Sequence, residues 1–260
     1  SLQLASALFR GTRIDAPDAA NQSLTWLGVP PAEKPTPSVC SATLDGGGFH
    51  ILRAENATAF LRYPRFRFRP SQADAMHVDL WSGGRNLLRD AGTYSYNSTP
   101  KDLTYFPGTA SHNTVQFDWR DQMPRVGRFL FAKWLKAENL SPVSEEAGAV
   151  TAAAAYRDHL GARHHRRVSL TPGALIVCDT ISTFSEQAIL RWRLSPGDYS
   201  VSGMGITGEG IKLNITSSMP IAQIALVTGE ESLYYLQKSI LPVLEVKFSQ
   251  PGEVVPKIEF

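Results

Sequence analysis

The chain has 260 residues, with 26 Lys and Arg against 24 Asp and Glu, 43% hydrophobic residues and a formal charge of +2 at pH 7. That length suits one large all-β domain or two ordinary ones, and the apolar share excludes wholesale disorder. The small net charge argues against nucleic acid or an anionic membrane surface as the principal partner, and no stretch reaches the roughly 18 to 20 apolar residues of a membrane span.

Leu2 to Phe9 is the one segment that reads easily as a helix. Asp15 to Thr43 is rich in Pro, Ala, Asn and Ser, so residues 1–45 are expected to form an extended N-terminal arm or linker before a β-domain over 46–260. From Gly46-Gly47-Gly48 onward the texture is short alternating segments. The predicted strands run from Phe49 to Ala54, Thr58 to Tyr63, Met76 to Trp81, Asn86 to Asp90 and Thr114 to Trp119. They continue from Arg128 to Ala137, Ala149 to Tyr156, Arg166 to Leu170, Leu175 to Thr180 and Ile189 to Leu194, and end with Ile211 to Ile215, Ile221 to Leu226 and Val243 to Phe248. Such a series, without an internal repeat, predicts an all-β fold: one large antiparallel β-sandwich. Cys40 and Cys178 are too few for a disulfide framework, and Cys178 in its apolar run reads as a buried thiol.

The densest polar cluster lies between Arg62 and Arg128. Arg65, Arg67 and Arg69 would share one face of an extended strand and could hold carboxylates or sulfates; the competing reading is a charged, solvated edge. On the next predicted strand Met76, Val78 and Leu80 face the core, which leaves His77, Asp79 and Trp81 on the other face, with about 7 Å between alternate Cα atoms. The turn Gly83-Gly84-Arg85-Asn86 returns Asp90 beside His77, and a later strand begins at His112. Imidazole and carboxylate ligands of that mix suit zinc better than calcium. The second basic group, His159 and His164 with Arg163, His165, Arg166 and Arg167, reads as a solvated face.

Three ordered motifs then carry a resemblance: Arg69-Pro-Ser-Gln-Ala-Asp-Ala-Met-His-Val-Asp-Leu-Trp, Asn86-Leu-Leu-Arg-Asp-Ala-Gly-Thr-Tyr-Ser-Tyr-Asn and Ser111-His-Asn-Thr-Val. Together with His165-Arg-Arg-Val-Ser-Leu-Thr-Pro-Gly-Ala-Leu-Ile-Val-Cys-Asp, they resemble the C-terminal β-domain of the heparinase II/III-like polysaccharide lyases over roughly Gly48 to Pro196. The resemblance implies a supersandwich preceded, in the family, by a helical toroid, with substrate in the cleft between them. Asp90 matches the metal-binding Asp of the family's Asp-x-Gly-x-Tyr motif and His112 the His of its His-Asn-Thr motif. The family's third ligand is the His of a His-Ala-Asp triplet, where this chain has Gln72; His77 is a candidate substitute that no family motif supports. Tyr96 falls where the family has tyrosines near substrate.

The function implied is the C-terminal part of a lyase that cleaves acidic, uronic-acid-containing polysaccharide by β-elimination, in the periplasm or outside the cell. Tyr96 and Gln72 are the expected catalytic groups, Arg69 and Asn113 the substrate contacts, and Asp90, His112 and His77 the ligands of one divalent metal. The missing helical domain would supply the rest, so the piece alone is expected to be inactive. The competing class is a non-catalytic carbohydrate-binding or structural β-sandwich.

Overall fold

The computed structural model describes residues 2–15, 17–37 and 39–260. It divides into two compact units between Cys40 and Ser41. The first holds helix α1 (Leu2–Arg10), helix α2 (Gln22–Trp26) and a short parallel pair, β1 (Thr12–Arg13) and β2 (Lys34–Pro35). Its stretch after Asp15 is therefore not a plain extended arm. Side chains knit it together: the Gln3 amide donates to Asn21 Oδ1 at 3.0 Å and accepts the Ile14 N–H at 2.8 Å.

The second unit begins with a meander of β3 (Ala42–Leu44), β4 (Phe49–Ala54), β5 (Ala57–Arg62), β6 (Val78–Ser82) and β7 (Arg85–Leu88), paired in sequence order. Helix α3 (Pro100–Tyr105) follows, then β8 (Val115–Phe117) and a small hairpin of β9 (Arg125–Gly127) and β10 (Leu130–Phe131). Next come the long strands β11 (Ala137–Glu146), β12 (Ala149–Arg157), β13 (Arg163–Thr171), β14 (Ala174–Ser182) and β15 (Ala188–Arg193). The last are β16 (Tyr199–Ser202), β17 (Gly205–Gly208), β18 (Ile211–Ser217), β19 (Ile221–Glu231), β20 (Ser239–Phe248) and β21 (Gly252–Glu259).

Among the described residues these build an eight-stranded sheet in the order β11-β12-β13-β14-β21-β18-β17-β16 and a four-stranded sheet β19-β20-β15-β8, beside the five-stranded meander. A bridge between Leu88 and Leu194 continues the meander into the four-stranded sheet. One buried cluster joins all three, from Leu52, Leu61 and Val78 through Val168, Val177 and Trp192 to Val246 and Ile258. This is the predicted all-β sandwich. Alternation sets the exposed strands: in β18 the Ile and Leu residues are buried and the Lys, Asn and Thr between them are not.

Several sequence expectations need correction. Arg65, Arg67 and Arg69 do not share a strand face, because β5 ends at Arg62 and the chain leaves the sheet; Arg65 pairs with Asp45 at 2.8 Å. Arg128 to Ala137 is not one strand but the tip and return of the β9–β10 hairpin. The basic group on β13 is a solvated face only in part: Arg167 is exposed and Arg163 and His165 partly so, but the alternate side chains point inward. His164 and Arg166 are wholly buried with Asp179, which accepts from Arg166 Nε at 2.6 Å and Nη2 at 2.8 Å and from His164 Nε2 at 2.8 Å. Cys178 is half-buried, its thiol pushed up to about 12 by burial and then by Glu253.

Candidate functional site

The site grows from the segment between β5 and β6. Met76 sits at φ 63°, a conformation costly for a side chain of its size, which breaks the strand predicted there and turns the chain at His77. The buried Arg166 braces this turn: its Nη1 donates to the Met76 carbonyl at 2.5 Å and to the Asn113 carbonyl at 2.6 Å. One buried guanidinium of the eight-stranded sheet thus ties together the two segments that carry His77 and His112.

Asp90 follows β7. Its Oδ1 accepts the Gly92 N–H at 2.5 Å, and Gly92, at φ 73°, bridges Ser232 so closely that any Cβ would fall on the Ser232 carbonyl. That explains the Asp-x-Gly spacing: the turn consumes one carboxylate oxygen and aims the other. Oδ2 lies 3.3 Å from His112 Nε2 and 3.8 Å from His77 Nε2. His112 Nδ1 lies 2.8 Å from the Gly108 carbonyl, which can only accept, so Nδ1 carries a proton and Nε2 faces the cluster. The Gln72 amide oxygen completes the group, 3.3 Å from His112 Nε2. Burial pushes the Asp90 pKa up, but the His112 charge and hydrogen bond outweigh it and hold the carboxyl below its usual range. Burial likewise opposes protonation of His112, and Asp90 overcomes it, raising the imidazole.

Among the described residues no three His, Cys, Asp or Glu side chains gather in a way that could hold a metal ion. What gathers is one carboxylate, one imidazole and one amide oxygen. That set fits a divalent cation: His112 has its ligating nitrogen turned inward and its other N–H held by a carbonyl, the usual arrangement behind a metal-bound imidazole. His77 fits less well. Its Nδ1 accepts the Asn113 backbone N–H at 2.9 Å, so in the neutral ring Nε2 keeps its proton and has no lone pair to give.

Gln72 borders two depressions. In one, Phe49, Phe60 and Trp81 surround Asp74, Asp79 and Asp90. Burial and then the Asp90 charge raise Asp79 to about 6, against the Asn86 hydrogen bond. His77, Asp79 and Trp81 do line one surface, as their spacing predicts. The other depression is a trough of Tyr94, Tyr96, Phe106 and Phe129 with Arg125 and Arg128. Tyr96 stands on its rim, 59% exposed, edge-on to Phe129 at 5.5 Å and tilted against Tyr235 at 5.7 Å.

The remaining candidates fall elsewhere. Asn113 does not offer its side chain to a ligand: it is wholly buried, Nδ2 donates to the Val78 and Arg89 carbonyls, and Oδ1 accepts the Arg193 N–H at 2.6 Å. Its substrate assignment is corrected to a scaffold role. Arg69 is exposed, borders neither depression, and has no hydrogen-bond or ion-pair partner among the described residues. Sequence reasoning missed Arg128, Phe129 and Tyr235 as part of the site. An exposed Arg-Phe pair inside a predicted strand was the available signal.

The family model described as heparinase II/III-like, C-terminal, matches residues 36–237. Solved structures agree on the fold. A heparinase III, the BT4657 gene product, superposes with a TM-score of 0.72 at 16% identity over 94% of this chain and 39% of that one. A heparan sulfate lyase, HepC from Pedobacter heparinus, gives 0.70 at 17% identity over 93% of this chain and 39% of its own. A chondroitin AC lyase from Streptomyces coelicolor A3 gives 0.50 at 11% identity over 94% and 36%. A search of curated proteins finds no match. The chain thus spans about two fifths of the length of the heparinase structures it matches. With more than three quarters of its residues matched, the chain belongs to the heparinase II/III-like family, of which it is the C-terminal β-sandwich.

Proposed function

We propose that this chain is the C-terminal domain of a polysaccharide lyase that cleaves uronic-acid-containing polysaccharide by β-elimination in the periplasm or outside the cell. The observation that carries the reading is the position of Gln72, with its amide oxygen on the Asp90–His112 pair and its side chain bordering the aromatic trough. In β-elimination a base removes the C5 proton of the uronate. The freed electron pair forms the C4–C5 double bond, the C4–O bond breaks, and the leaving oxygen takes a proton. The C5 proton is acidic only while the neighbouring carboxylate is neutralised. With its oxygen held by His112, Gln72 turns its NH₂ outward as a donor to that carboxylate. Tyr96, exposed beside it, is the group here that moves a proton. A divalent cation held by Asp90, His112 and Gln72, zinc rather than calcium, would add fixed positive charge at this wall.

Base, acid and neutraliser must surround one sugar ring, and effective molarities of about 10⁵ M or more depend on that alignment. One wall does not enclose a ring, so the other groups belong to sequence outside this chain. The test is the near-ultraviolet absorbance of the unsaturated product, with heparan sulfate, hyaluronan and alginate as substrates. The longer parent protein is expected to generate it on at least one of them and this chain alone on none. Binding by the parent without any product would favour a non-catalytic carbohydrate-binding module.

A further inference from the structure

We infer that Arg128, at the tip of the β9–β10 hairpin, reads the acidic group of the sugar, and that the acidic sugar lies on the Tyr96 side of Gln72. This rests on the lyase reading above and goes further, because it names the residue and the direction. Arg125 prepares the tip. Its Nε donates to the Gly127 carbonyl at 3.2 Å, its Nη2 to the Arg128 carbonyl at 2.8 Å and its Nη1 to the Leu103 carbonyl. These bonds clamp the hairpin to α3 and spend the Arg125 guanidinium on backbone.

Arg128 is left exposed, and its guanidinium has no hydrogen-bond or ion-pair partner among the described residues. It lines the same trough as Gln72 and Tyr96, and the adjacent Phe129 ring meets Tyr96 edge-on. The one carboxylate lining that trough, Asp102, is already matched by Lys238 at 2.8 Å. Arg125 and Arg128 therefore set the sign of the trough together, and Arg128, whose guanidinium fork is free, suits a carboxylate or sulfate.

Beyond Gln72 the sign reverses. Arg62 answers Asp74 at 3.3 Å and His112 answers Asp90, but Asp79 Oδ1 is buried without a hydrogen-bond partner. A uronate placed there would meet carboxylates, so the acidic group enters from the Arg128 side.

The test is calorimetric titration of the chain with a hyaluronan hexasaccharide and with its carboxyl-reduced counterpart. Arg128→Ala should weaken binding of the acidic hexasaccharide by about tenfold or more and leave that of the reduced one unchanged, with Arg128→Lys intermediate. Equal losses on both ligands would overturn the assignment, as would a loss that follows Arg69→Ala instead. A wild-type chain with no preference for the acidic hexasaccharide over the reduced one would overturn the acidic-polysaccharide reading together with it.

Discussion

The backbone N–H of Asn113 donates to Nδ1 of His77 at 2.9 Å, and this bond decides what His77 can do. Burial holds the ring neutral, with its pKa lowered to about 3, so its single proton sits on Nε2. Such a ring can donate toward Asp90 but does not ligate a cation.

In calorimetric titration with zinc chloride, His77→Asn should therefore bind as the wild type does, within about twofold. Asp90→Asn or His112→Ala should lose about tenfold or more. A loss confined to His77→Asn would reverse the assignment.

The Gln72 amide oxygen already touches His112. Gln72→His should raise zinc affinity by about tenfold or more, since imidazole is a far better zinc ligand than an amide. An unchanged titration would mean that this side chain does not reach the cation.

Arg166 and Asp179 are fully buried, and removing one partner strands the other's charge. Arg166→Met should lower the free energy of unfolding in urea by about 3 to 5 kcal/mol. Arg167→Met, one residue along but on the exposed face beside Glu146, should change the urea midpoint little. Similar midpoints for the two variants would show that the inner pair holds nothing together.

His50 supplies a pH dependence. Burial lowers its pKa to about 4, partly offset by the Ala153 backbone and Asp45. Between about 6.5 and 4 the unfolded chain takes up a proton that the folded chain refuses, so stability falls as pH falls, by roughly 1.4 kcal/mol per unit at most. Urea midpoints at pH 7, 5.5 and 4.5 should drop less steeply for His50→Gln than for the wild type. Parallel slopes would rule out a neutral, buried His50.

The strands that alternate cleanly, β4, β5 and β18, were legible because each buries one face. β11 was not, since Ala137–Glu146 is an exposed edge with little apolar signal, and β21 was not, because Pro256 interrupts it. The pairing of Asp90 with His112 was legible in motif order. Its aiming was not: it depends on the Gly92 amide, the Gly108 carbonyl and the Met76 turn, all backbone features that side-chain identities do not announce. Arg166 was misread because its partner Asp179 lies on the next strand and its burial depends on how the sheets stack. Asn113 was misread for the same reason: its amide bonds three separate segments that meet only when folded.

The position of β21 bears on how the chain is made. It pairs with β14 on one side and β18 on the other, and those two strands meet only through it. A ribosome releases β14 and β18 long before Gly252 emerges. Until then the wide sheet is two half-sheets, each with a raw edge able to pair with a stranger. The nascent chain therefore carries two open edges in the interval before β21 arrives, and a shielding chaperone would matter there.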